Sequence, residues 1–259
     1  MKIVYKKFRT VLFLFTVLSL VLFVQSCKEE NPSTPSGTGD NSVKVVFTGT
    51  TASGDFSLGK GYDLATEGFR YKFSLLKFYV SKFSLIKSDG SELMLNDIAL
   101  IDFRVDQPNT SFTVKVPEGE YKGFKFGIGV DSINNSKLPA SFAAEHPLSS
   151  AQGTYWEMTS KYRFMLIEGH LDTLRGATED FSEQFVVHTG TDELYREKTY
   201  TRSLSFTKGD NRTLNLVINM DNLLSNADFR ADHVSHTLGT GFTLAEKIAN
   251  NFAANITLK

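Results

Sequence analysis

The stretch LLKFYVSKFSLI, residues 75–86, decides the fold class. It is long and aromatic, contains no Gly or Pro, and alternates large apolar side chains with polar ones, as a strand with one buried face requires. Ser88-Asp89-Gly90-Ser91 follows, and Asp-Gly after such a run predicts a hairpin turn. Working outward, Val43–Phe47 is a short β-branched strand. Glu92–Leu95 is the return of the hairpin, and Ala99–Val105 a further strand. Ser111–Val116 alternates Phe112, Val114 and Val116 with Thr113 and Lys115, and Pro117-Glu118-Gly119-Glu120 turns into Tyr121–Ile128. Arg163–Leu171, Phe181–His188, Tyr200–Phe206 and Arg212–Ile218 continue the pattern. Strands at this spacing, joined by Gly- and Asp-bearing turns, predict an all-β protein: a β-sandwich of antiparallel strands. Alternation sets Phe78 and Val80 on one face of their strand and Phe83 on the other, unless a bulge intervenes.

Two segments stand outside the pattern. Ser132–Tyr155 is a long polar central loop with two prolines, and loops of that size inside a compact domain are usually functional. Leu244–Ala254 reads as a short C-terminal helix, because Leu244, Ile248 and Phe252 recur at i, i+4 and i+8. A shorter helix is expected within Asn222–Arg230.

Composition agrees. The chain has 259 residues, 41% of them apolar and 22% charged, with 22 Phe and 9 Tyr but 6 Pro. Aromatic residues pack well on pleated surfaces. A single Cys excludes an internal disulfide and any zinc site built on several thiolates.

The N-terminus reads as a targeting segment. Lys2, Lys6, Lys7 and Arg9 precede an apolar run, Val11–Val24, and then Gln25-Ser26-Cys27. A basic region, an apolar region and a small residue before the cut describe a secretory signal. The lone cysteine at its end resembles a bacterial lipoprotein box of the relaxed form found in Bacteroidota, with Cys27 as the lipidated residue. The expected organisation is a signal peptide at 1–26, a lipidated Cys and flexible Ser/Thr/Pro/Gly-rich linker at 27–42, and a globular domain at 43–259. Lys28-Glu29-Glu30 resembles the acidic signal that sends some such lipoproteins to the cell surface. The expected location is therefore the outer membrane, held by the lipid and facing the periplasm or the cell surface. Removing the four basic residues of the signal from the 28 Lys and Arg leaves 24 against 29 acidic residues, a net charge of −5. With no basic patch, nucleic-acid binding is not expected.

Chemistry is sparse. There is no Gly-x-Ser-x-Gly elbow, P-loop, dinucleotide fingerprint, His-Glu-x-x-His motif or EF-hand loop. Asp97, Asp102, Glu168 and Asp172 are scattered carboxylates whose spacing marks no catalytic pair. The chain is not expected to be an enzyme. What remains is one tryptophan, Trp156, and five histidines: His146, His170, His188, His233 and His236. Imidazole is the commonest metal ligand among side chains, whereas indole nitrogen is a donor only.

Six stretches, in order, resemble the MbnP-like family of copper-binding proteins, named after a methanobactin-associated member. They are Tyr62-Asp63-Leu64 with Gly68 and LLKFYVSKFSLIKSDG (75–90); Leu100-Ile101-Asp102-Phe103; and Pro117-Glu118-Gly119-Glu120-Tyr121, running into Phe126-Gly127-Ile128-Gly129-Val130-Asp131 and Asn134. His146-Pro147-Leu148-Ser149, Tyr155-Trp156, Lys161-Tyr162-Arg163-Phe164 and Ile167-Glu168-Gly169 form the fourth. Phe185-Val186-Val187-His188-Thr189-Gly190 is the fifth, and Asn219-Met220-Asp221 with His236 and the final helix the sixth. The resemblance covers most of residues 43–259. It implies an extracytoplasmic β-sandwich in which a MauG-like di-haem oxidase converts a tryptophan to kynurenine, whose freed amine joins histidines in binding copper. Carried over, it names Trp156 as the oxidised residue and His188, His236 and His146 as metal ligands. A sandwich gathers its loops at its two ends, so these residues are expected to converge at one end, with His146 reaching in from the long loop. The sequence departs from the family after Trp156: Met158 stands where a second aromatic or His is common, and Lys161 where Gly is common. Met158 is either a soft copper ligand or core filler. The competing expectation is a metal-free surface module that binds glycan, peptide or an outer-membrane partner. A TonB-dependent transporter as a partner is compatible with both readings.

Overall fold

The computed structural model describes residues 40–157, 160–229 and 231–259. The signal peptide, Cys27, most of the linker and Met158 lie outside the described residues. The described residues belong to one compact unit, Pro32–Lys259.

Fourteen strands are present among them: β1 (Asn41–Thr51), β2 (Gly54–Asp55), β3 (Tyr62–Leu64), β4 (Phe69–Lys87), β5 (Glu92–Asp102), β6 (Ser111–Val116), β7 (Gly119–Ile128), β8 (Tyr155–Trp156), β9 (Lys161–Asp172), β10 (Glu183–Gly190), β11 (Arg196–Phe206), β12 (Asn211–Asn219), β13 (Val234–Ser235) and β14 (Ile256–Leu258). Three helices accompany them: α1 (Ser132–Asn135), α2 (Met220–Leu224) and α3 (Phe242–Ala254). A five-stranded sheet runs β14-β12-β1-β2, with β6 also on β1; a nine-stranded sheet runs β11-β7-β4-β9-β10-β13, with β3 and β5 on β4 and β8 on β9. The protein is a mostly-β sandwich with a short C-terminal helix.

The deciding stretch lies inside β4, which begins six residues earlier, at Phe69. Its first half pairs with β3 and β9 and its second with β5 and β7, so one strand organises the nine-stranded sheet. Phe83 does not point away from Phe78 and Val80; all three lie in the same core cluster. A register shift at Phe83/Ser84 and a left-handed Lys82 (φ 52°) supply the bulge that turns Phe83 inward. There Phe83 meets Phe112 and Phe124 at ring separations of 5.5 and 5.9 Å.

The expected pairing was antiparallel throughout. Most pairs are, but β1 runs parallel to β12, and β10 parallel to β13. Parallel neighbours need long connections, and here each partner lies far along the chain, beyond the reach of a turn motif. The segments 92–95 and 99–105, read as two strands, form the single strand β5 up to Asp102.

The core between the sheets joins Val45 and Phe47 of β1, Phe78 of β4, Phe126 of β7, Ile167 of β9, Phe185 of β10, and Leu244, Ile248 and Phe252 of α3. Phe252 meets Phe78 edge-on at 4.7 Å, so the helix face read from the sequence is the one buried. In β9 and β10 the odd-numbered residues Met165, Ile167, Phe185 and Val187 face this core. The even-numbered ones therefore face outward, away from the other sheet.

That outer face is where the long loop lies. Tyr79, Ile98, Leu100, Val130, Leu148, Tyr162 and Phe164 form a second cluster beneath it. The Tyr79 hydroxyl donates to the Pro147 carbonyl (2.8 Å) and accepts from Thr154 (2.6 Å), and the Tyr162 hydroxyl donates to the Leu148 carbonyl (2.8 Å). Asp131 caps α1, accepting from the Asn134 amide side chain (2.7 Å), which also donates to Asp97 (3.0 Å). Asn135 accepts from the Tyr162 backbone N–H and donates to Asp192. These contacts are the work of Val130, Asp131, Asn134 and Leu148: they fasten the loop to the sheet.

Candidate functional site

Parallel pairing of β10 with β13 matches Val186 to Val234 and Val187 to Ser235. One further step in that register places His236 beside His188, with both side chains on the outer face. Their Nδ1 atoms are 3.3 Å apart. Trp156 meets His236 edge-on, ring centroids 5.0 Å apart. The structure thus brings Trp156, His188 and His236 together, although they are distant in sequence.

Each is held by its own element. Thr189 and Gly190 end β10 in a register shift against β9. Thr237, buried and left-handed (φ 74°), donates its hydroxyl to the His188 carbonyl (2.7 Å), which ties the turn carrying His236 to the strand carrying His188. Trp156 follows Tyr155, whose ring packs on Tyr162 at 4.9 Å, and Thr154, whose carbonyl accepts from the Arg163 backbone N–H (2.8 Å).

Exposure grades across the trio. His188 is 4% exposed and Trp156 36%, while His236 is exposed. Solvent therefore reaches the His236–Trp156 edge, and the sheet encloses His188. Burial pushes the imidazolium of His188 below its ordinary range; the Arg163 and His236 charges act the same way, and Glu168 opposes them. The His188 Nε2–Glu168 contact, 2.8 Å, has the separation of an ion pair, but desolvation dominates, so the stable state is a neutral imidazole donating to a carboxylate. Glu168 is placed there by the register: His188 pairs with Leu166, which makes Glu168 its diagonal neighbour on the same face.

The pair passes a simple test of fit to a metal. Two imidazole nitrogens on one tetrahedral ion, with bonds of about 2.0 Å, stand about 3.3 Å apart. The observed Nδ1 separation is 3.3 Å. Imidazole suits copper among the divalent and monovalent first-row ions. No group of three or more His, Cys, Asp or Glu side chains stands at metal-binding spacing among the described residues. A metal held here would take two imidazoles from the chain and need a further donor, which unmodified indole cannot provide.

The other histidines are placed differently. His146 does not reach the trio. It stacks on Phe142 at 4.2 Å and its Nδ1 accepts from the Leu148 backbone N–H (3.0 Å), so that lone pair serves the loop. Burial lowers its pKa as well. His233 is exposed, and its carbonyl accepts from the Val186 N–H. His170 lies on β9 opposite Gln184 and Lys72. The trio sits on the outer face of the nine-stranded sheet, where β10 and β13 run out and the long loop returns at Trp156, and strand register sets the two histidines side by side. Sequence reading passed over Thr237 and gave Glu168, named there as a scattered carboxylate, no role at this site. Its even-numbered position on the strand facing His188 becomes meaningful once the register is known.

The model of the MbnP family matches residues 40–239. Among solved structures, MbnP from Methylosinus trichosporium is similar, with a TM-score of 0.49 and 17% identity, over 77% of this chain and 81% of that one. No curated protein matches.

Proposed function

Because the chain belongs to the MbnP family, we propose that it is an extracytoplasmic lipoprotein that binds copper through His188 and His236. Trp156, oxidised to kynurenine by a MauG-like di-haem partner, supplies the further nitrogen. The observation that carries this reading is the Nδ1 pair at 3.3 Å with the indole of Trp156 against its exposed edge. His188 offers a neutral nitrogen from the buried side. His236 offers its own from the solvent side, where an ion arrives. Trp156 is exposed enough for a macromolecular oxidant to approach its ring. Bound copper would supply a soft, redox-capable centre at the surface of the sheet. Cys27 would hold the domain to the outer membrane through its lipid, and linker 27–42 would set it clear of the surface.

The test is copper titration of protein from its native host, or co-expressed with the di-haem partner, with the intact mass recorded to show whether Trp156 is modified. His188→Ala and His236→Ala should each weaken binding by at least about tenfold, the loss expected when a ligand goes, given that losing a mere ligand-supporting group costs 10- to 100-fold. His146→Ala and His233→Ala should bind as the unaltered protein does. Equal binding by all four variants would refute the assignment.

A further inference from the structure

We propose that Glu168 is the positioning residue of the histidine pair: its carboxylate keeps the proton of His188 on Nε2, so the lone pair of Nδ1 faces His236. The inference rests on the copper reading for its purpose but not for its geometry. An ionised carboxylate only accepts hydrogen bonds, so the nitrogen 2.8 Å from its Oε1 must carry the hydrogen. A ligating imidazole must be neutral, and a neutral imidazole has one N–H. Its Nδ1 is then an acceptor by elimination, and that is the atom 3.3 Å from His236 Nδ1.

Without Glu168 nothing described at the Nε2 side fixes the choice. His188 could move its proton to Nδ1 and donate it to His236. That tautomer closes the pair with a hydrogen bond and leaves no free lone pair between the two Nδ1 atoms for a metal. The contact also holds the ring plane, because Glu168 projects from β9 while His188 projects from β10, and the eight residue pairs of that pairing fix their relative height. Glu168 is itself partly exposed, with 30% of its side chain open, so its carboxylate reaches the buried ring from the solvent side. The geometry therefore separates two tasks: Glu168 touches no metal, and its effect passes entirely through His188.

The experiment uses the full chain with ¹⁵N-labelled histidine, first free of metal. Long-range proton–nitrogen correlation reads the tautomer of His188 directly. The unaltered protein should show the hydrogen on Nε2. Glu168→Gln, whose amide oxygen still accepts, should keep it there, and Glu168→Leu should move a substantial fraction to Nδ1. The same three proteins are then titrated with Cu(I) against a competing chelator. Glu168→Leu should lose about 10- to 100-fold in affinity, and Glu168→Gln should recover most of it. A merely structural role for Glu168 would lower thermal stability in Glu168→Leu without changing the tautomer. A proton on Nδ1 in the unaltered protein, or an unchanged tautomer in Glu168→Leu, would overturn the proposal. If the tautomer shifts as expected while the unaltered protein binds no copper, the positioning role stands and the copper reading fails.

Discussion

At His188 a single imidazole faces a carboxylate with one nitrogen and a second imidazole with the other, and burial favours its neutral form. This has a consequence for stability. The unfolded chain takes up a proton on this ring as pH falls through about 6.5, and the folded chain does so only at lower pH. The contribution is present above the unfolded value and is lost as pH falls through the depressed folded one. Urea unfolding midpoints should therefore decline between pH 7.5 and 5.5. His146 has a shift of the same sign, so His188→Gln should flatten the decline without abolishing it. A midpoint that rises on acidification would contradict the burial of a neutral ring. Residue types were legible before any coordinates: Trp156 and the histidines were the groups singled out for the site, and Trp156, His188 and His236 do meet. Glu168 was not legible, because a carboxylate among 29 acidic residues gains its meaning only from the ring it touches. His146 misled for the converse reason. Its histidine chemistry was real, but a backbone N–H two residues away occupies its nitrogen.

Among the elements, strands were legible wherever one face is buried and the other wet. β6 was read to its residue, and the helix face of α3 came directly from its i, i+4 repeat. The bulge in β4 was not, since Lys82 is an ordinary residue that the surrounding sheet forces into a left-handed turn. β7 offers a test of the core. Phe126 is buried, edge-on to Phe47 at 6.0 Å and stacked on Tyr200 at 6.1 Å. Phe126→Ala should cost about 3–5 kcal/mol, measured by denaturant unfolding, and a cost below about 1 kcal/mol would make β7 peripheral. β9 offers a second test. A side chain at Gly169 would run into the Lys72 carbonyl of β4 and the ring of Phe185. Gly169→Ala should therefore destabilise by about 1–3 kcal/mol. It should also weaken copper binding, because the neighbouring Glu168 is displaced with the strand. A variant as stable as the unaltered protein would show that β4 and β9 can separate locally.

At the scale of the whole molecule, under the lipoprotein reading Cys27 is the membrane attachment and the domain from residue 43 onward is a body that folds without it. Cys27→Ser should abolish membrane association, read by fractionation and detergent-free washing, and leave the unfolding curve of the domain unchanged. A variant that stays with the membrane would refute lipid anchoring. The sandwich as a class was legible from the number and spacing of strands, but which strands lie side by side was not, because neither parallel pair is announced by a local signal. One of these pairs also governs the order in which the molecule can be completed. Ser42 of β1 sits against Asn211 of β12, 169 residues later. When the chain emerges from a ribosome or a translocation pore, β1 comes out first and can find β6 early, yet its other edge stays open until nearly the whole protein has appeared. The smaller sheet is then finished by the last strand, β14, on the far side of β12. Completion of the smaller sheet is thereby deferred until nearly the last residue has been made, so half of the sandwich waits on the end of the chain.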